Sequence, residues 1–314
     1  MPPLIGHNSR RTPPPSRLGL VCDDPLLPAK RVAARLLCAM LRRGQGYGVK
    51  GPTWRQGRDK HPPTRPRDAK AAARKLVKRL RKHAGGDSNL LRIAAALSRC
   101  NRRHRCLHPA CPQCGGRALQ HLMVRTTGRF LHANPELGPW RVLSIILPSR
   151  LGATEIEFAE AWDRYAALLQ QAGLTRGVFG LDLSFNEDDR RSLPDVERFE
   201  PHACVHLYGL APAAEVEAAV PRLKRLVPAT DAVRRPVRST PFDGDLAAVA
   251  YSFKPDFVRR QTILQDKQGR ANPVRNTRDR PLTVEQQIRL VQALERAGLN
   301  GRIMLLGLSM EAIA

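Results

Sequence analysis

The sequence predicts an α+β chain, with a basic helical region that carries a cysteine cluster ahead of a sheet domain. Three observations carry that prediction. From Trp140 onward, apolar strand candidates alternate with helical stretches. None of the turns between them is a Gly-rich phosphate loop, which favours α+β over a nucleotide-binding α/β sheet. Ahead of them, Cys100, Cys106, Cys111 and Cys114 fall in one short stretch with the spacing of a metal knuckle. No internal repeat is visible.

In chain order, residues 1–67 read as a basic Pro/Arg-rich tail and linker, largely disordered, with a short basic amphipathic helix over 31–43. Residues 68–135 hold a basic helix and the cysteine knuckle. Asp68 to His83 is Ala-rich and can be capped by Asp68; Leu76, Val77 and Leu80 make one narrow apolar stripe, and Gly85-Gly86 ends it. A further helix follows the cysteines. Residues 136–314 carry the α+β texture. Arg141 to Leu147 predicts a strand stopped by Pro148, and Glu155 to Ala172 a helix. Val178 to Phe185 and Pro201 to Leu210 predict strands, and Ala213 to Leu226 a helix. About Asp245 to Phe257 and Thr283 to Ala297 are helical, the latter ending at Gly298, and Arg302 to Leu306 is a last strand.

Charge narrows the function. Lys plus Arg number 53 against 28 Asp plus Glu, a net charge of +25 over 314 residues. Such an excess concentrates polyanions, and the nucleic-acid backbone is the commonest. No run reaches the roughly 20 apolar residues of a bilayer span. The N-terminus has no apolar core of a signal peptide, so the expected location is the cytoplasm. Seven cysteines, four of them clustered, suit metal binding in a reducing compartment better than disulfides. Basic residues line the helix (Arg74, Lys75, Lys78, Arg79) and the knuckle (Arg102, Arg103, Arg105, Arg117). They are candidates for phosphate contact, against the plainer reading of a solvated face.

In the knuckle, Cys111-Pro-Gln-Cys114 is a tight turn that aims two thiolates at one point. Zinc takes four such ligands in a tetrahedron, and a structural site closes all four with protein groups. Cys100 and Cys106 complete the set, with His104 and His108 in reserve.

Five stretches in order resemble the rolling-circle replication initiators of small plasmids, the HUH-type tyrosine endonucleases. Cys106, Cys111, Pro112 and Cys114, with Arg117 after them, match a C-x4-C-P-x-C segment. RVLSIILPS (141–149) and GVFGLDLSFN (177–186) resemble the next two strand motifs, the second with its acid at Asp182. EPHACVHLYGL (200–210) is similar to the histidine motif, and AVAYSFKPDF (248–257) to the tyrosine motif. The likeness runs from about residue 100 to 260. It implies a central antiparallel sheet flanked by helices, origin or single-stranded DNA as partner, and nicking through a phosphotyrosine. Tyr251 would be the nucleophile and Lys254 its companion on one helical face. His206, Cys204, Asp182 and His202 would hold a catalytic Mn2+ or Mg2+ that polarises the phosphate.

This chain departs from that pattern at two places. Cys204 stands where the first histidine of His-x-His is expected, and a soft thiolate suits Mg2+ or Mn2+ poorly. His202 shares the face but lies roughly 13 Å from His206 along a regular strand. Ala247 stands where the family often has a second base. Three readings stay open: a nicking initiator, a catalytically inactive zinc-knuckle nucleic-acid-binding protein, and a transposase- or relaxase-type nickase with the same chemistry.

Overall fold

The computed structural model describes residues 28–42, 65–147, 156–188, 193–230, 233–266 and 268–308. The expected disordered stretches, 1–27 and most of the linker, lie outside the described residues. Among those described are eight α-helices and a seven-stranded sheet.

Helix α1 (Pro28–Arg42) is followed by α2 (Pro66–His83) and α3 (Ser88–Arg99). Pro66, not Asp68, begins α2, and Arg65 takes the cap position. Gly85 and Gly86 at positive φ turn the chain, and the Asp87 side chain accepts from the Asn89 and Leu90 amides to start α3. The apolar stripes of α2 and α3 face each other. Leu80 and Ile93 are fully buried between them, each worth about 2 kcal/mol of burial. After Cys111, a π-helical turn over Pro112–Ala118, which carries Cys114, runs straight into α4 (Leu119–Ala133).

The sheet comprises β1 (Trp140–Ile146), β2 (Gly177–Asp188), β3 (His202–Pro212), β4 (Val237–Pro241), β5 (Val258–Gln265), β6 (Val274–Arg280) and β7 (Ile303–Leu306). Its order is β4-β1-β3-β2-β5-β6, with β7 also on β2. The expected central antiparallel sheet is mixed: β5 runs parallel to β2. The chain reaches β5 by way of a short helix, α7 (Ala247–Ser252), packed across β2 and β3, and such a crossover is what parallel pairing requires.

Two layers of helix cover the sheet. Leu143, Ile145, Leu181, Leu183 and Leu207 pack under α5 (Phe158–Ala172), α6 (Ala213–Leu226) and α8 (Val284–Ala297). Val142, Val178 and Leu210, on the other face, pack under α1, α4 and α7. Helix α8 also reaches the α2–α3 hairpin through Val291. No described helix is long and apolar enough to cross a membrane.

Candidate functional site

The cysteine cluster sits at the foot of the α2–α3 hairpin. Cys100 follows α3, Cys106 lies in the loop, and Cys111 and Cys114 flank the first turn of the π-helical segment. All four sulfurs lie within 4.8 Å of one another. Cys114 Sγ is 3.4 Å from Cys100 Sγ and 3.9 Å from Cys106 Sγ. A ZnS4 tetrahedron with its usual bonds has edges of about 3.8 Å, so the group can hold a metal ion such as zinc. Hydrogen bonds from Cys106, Cys111 and Cys114 hold the Cys100 thiol far below its ordinary pKa, while those same contacts push Cys111 well above it.

Backbone geometry makes the knuckle possible. Leu107, buried, takes a positive φ of 55° between Cys106 and His108. A Cβ on Gly115 would stand 1.8 Å from the Pro109 carbonyl oxygen, so only glycine fits there. The reserve ligands are elsewhere. His104 is exposed, and the buried His108 accepts from the Ala110 amide and faces Glu295.

A second cluster forms on the sheet face that α7 covers. Strands β2 and β3 pair without a break from Asn186↔His202 to Val178↔Leu210, which sets Asp182 directly opposite His206 and Ser184 opposite Cys204. Directly opposite residues share a face. The Ser184 hydroxyl donates to Asn186 Oδ1 at 2.9 Å, so the His206 Nε2–H donates to Ser184 Oγ at 3.2 Å. Asn186 Nδ2 then donates to His202 Nε2 at 3.4 Å, and His202 Nδ1–H to the Glu200 carbonyl at 2.8 Å. This ladder leaves the His206 lone pair on Nδ1. Burial pushes His206 down to about 4, keeping it neutral. Burial pushes the Cys204 thiol up to about 12, and it donates to the Leu147 carbonyl at 3.7 Å.

Helix α7 brings the tyrosine to this face. A Cβ on Gly180 would meet the Ser252 carbonyl oxygen at 2.1 Å, so glycine at this strand position lets the helix end lie flush on β2. Tyr251 packs edge-to-face on Tyr208, ring centroids 4.7 Å apart. The helix is shorter than the sequence predicts. It ends at Ser252, because Pro255 disfavours helical backbone at Lys254. Lys254 therefore lies past the helix in a turn, its amide donating to the Tyr251 carbonyl. Its ammonium still reaches the tyrosine, 4.8 Å from the ring centroid, and pairs with Asp182 Oδ2 at 2.8 Å. Burial works against that charge; Asp182, and then Tyr251, outweigh it and hold the Lys254 pKa above the ordinary value.

Two further residues complete the site, and neither is a sequence-level candidate. Arg302 fills the fork where β2 passes from β7 to β5. Its Nε donates to the Leu181 carbonyl and its Nη2 to the Lys254 carbonyl, both at 2.9 Å, and its guanidinium stacks on Phe257. Burial lowers its pKa to about 10 against the opposing pull of Asp182. Arg260 of β5 lends positive charge felt at His206, Cys204 and Lys254. The signal for Arg302 was a lone arginine heading an apolar run.

The structure thus brings together Asp182, His206, Tyr251 and Lys254, from elements far apart in the sequence. It does not converge the four expected ligands of a catalytic cation. His202 lies four residues from His206 on an unbulged strand, with both ring nitrogens engaged, and Cys204 gives its proton to Leu147. Among the described residues the four cysteines are the one group of three or more such donors. Of the basic candidates, Arg74, Lys75, Lys78, Arg102 and Arg103 are exposed. Arg79 is half-buried and donates to Gln287, and Arg105 and Arg117 are half-buried at the knuckle. Comparison with family models, curated proteins and solved structures finds no match.

Proposed function

We propose that this chain is a DNA-binding protein akin to the rolling-circle replication initiators, and that Tyr251 joins a phosphate of single-stranded DNA. The observation that supports this is the meeting of Tyr251, Lys254, Asp182 and His206 on one face of the sheet. In the exchange, the Tyr251 Oη–phosphorus bond forms as the P–O3′ bond breaks. The phenol loses a proton and the 3′ oxygen gains one, so no oxidant or reductant is required. The 3′-hydroxyl released is a primer. Zinc held by Cys100, Cys106, Cys111 and Cys114 braces the hairpin that presents Arg74, Lys75 and Lys78 to the phosphate backbone.

The test is incubation with single-stranded, origin-like oligonucleotides, with and without Mn2+, followed by denaturing electrophoresis. A covalent adduct that Tyr251→Phe abolishes is the expected result. An adduct that survives Tyr251→Phe, or none across varied substrates, sinks the nicking reading. The second reading, a zinc-knuckle DNA-binding protein without nicking, draws on Cys204 with its proton committed to Leu147 and on Ala247 in place of a second base.

A further inference from the structure

We infer that the Lys254 ammonium is the resident cation of the Tyr251 site, so that the site takes a nucleic-acid phosphodiester without a divalent metal. The geometry comes first. Lys254 Nζ and Asp182 Oδ2 are 2.8 Å apart with side chains 7% and 3% exposed, a buried contact that satisfies one carboxylate oxygen with a full positive charge. The turn that carries Lys254 is held from both sides, by its amide on the Tyr251 carbonyl and by Arg302 on its own carbonyl. The ammonium therefore stands beside the tyrosine ring by construction of the backbone, between that ring and Asp182.

The donor set agrees. Mg2+ and Mn2+ are drawn into protein sites by carboxylates whose charge is not already neutralised, and fill the rest of about six positions with water and substrate oxygens. Here Asp182 Oδ1, buried without a hydrogen-bond partner, and His206 Nδ1 are the only two donors of the expected set left uncommitted. Charge argues the same way. Lys254, Arg302 and Arg260 all act on this pocket, and among the described residues Asp182 is the carboxylate that acts most strongly on His206, Lys254 and Arg302; Arg260 also pairs with Asp279 at the surface. A divalent cation would enter against that surplus, whereas a phosphate would enter with it. An ammonium has three donors, so Lys254 can keep Asp182 and still offer hydrogen bonds to non-bridging phosphate oxygens.

The phosphodiester half of this inference rests on the proposed nicking; the cation half rests on geometry alone, and the experiments separate them. Full-length protein carrying one zinc per chain is titrated with Mn2+, the free ion being read by electron paramagnetic resonance; Mn2+ does not displace zinc from thiolates. The wild type should show no Mn2+ site that Asp182→Asn removes. Lys254→Met should gain one, which Lys254→Met/Asp182→Asn loses. An Asp182-dependent Mn2+ site in the wild type overturns the inference whether or not the protein nicks, and that measurement needs no variant that must survive a lost ion pair. Adduct yield in metal-depleted buffer should change less than about twofold when Mn2+ is added, whereas a catalytic metal changes such rates by on the order of a hundredfold or more. An adduct that forms only with Mn2+ also overturns it. No adduct under either condition sinks the nicking reading instead, with the Mn2+ titration still deciding the cation.

Discussion

His206 is neutral because it is buried, and that burial makes the fold sensitive to acid. Its pKa falls from 6.5 to about 4, so below about 6.5 the unfolded chain takes up a proton that the folded chain refuses. Stability is complete above the unfolded value and declines as pH falls toward 4, by about 3 kcal/mol at most. His108, lowered to about 4 by burial against the pull of Glu295, adds a second decline in the same window. Lys254 works in the opposite sense. Its raised pKa keeps its contribution through neutral pH, and the contribution fades only as pH climbs past the ordinary lysine range. Urea unfolding of the zinc-loaded protein should therefore lose less stability between neutral pH and about pH 5 in His206→Asn than in the wild type. Equal losses in the two proteins would show that His206 titrates normally.

At the scale of elements, the site depends on how closely α7 lies on β2. Gly180→Ala places a methyl against the Ser252 backbone, which cannot give way as a side-chain end could. The expected cost is about 1–3 kcal/mol in urea unfolding, as for other overpacked contacts. If Tyr251 is the nucleophile proposed above, adduct formation should fall with it, because the strain lands on the helix that carries Tyr251. Unchanged stability would mean that α7 does not rest on β2. The sequence made much of this legible. The alternation in β1, β2 and β3 and the capping box of Thr283 with Gln286 at α8 are local signals, and local signals survive in a sequence. What stayed hidden was set by pairing. Strands β5 and β6 are half-exposed and charged, with Arg259, Arg260, Arg275, Arg278 and Arg280 along them, so they show no apolar alternation. Helix α3, twelve residues with an Asp87 cap and an apolar stripe of Leu90, Ile93, Ala94 and Leu97, carries the same kind of local signal, although only the knuckle was expected over that stretch. The Lys254–Asp182 pair and the Arg302 latch bridge long stretches of chain, and no local pattern encodes such contacts.

At the scale of the molecule, a charge of +25 becomes an interaction only where it is displayed on a rigid surface. Helix α2 is such a surface. Its apolar side is clamped by α3 and by the cysteine cluster, and Arg74, Lys75 and Lys78 face solvent, with no ion pair among the described residues. Neutralising them, as Arg74→Gln with Lys75→Gln and Lys78→Gln, leaves the buried Leu76, Val77 and Leu80 untouched, so the fold should persist. Binding to a single-stranded oligonucleotide of any sequence should weaken. The slope of log K against log salt should flatten by about 0.7 for each phosphate contact removed, roughly 2 for all three. A uniform loss across sequences marks backbone contact; a loss confined to one sequence would mark base recognition instead. The same titration on protein stripped of zinc should reproduce the flattened slope, because Cys100, Cys111 and Cys114 are part of the core on which α2 rests. If the zinc-free protein keeps the wild-type slope, α2 holds its place without the metal, and the basic helix and the knuckle are independent parts of the proposed binding surface.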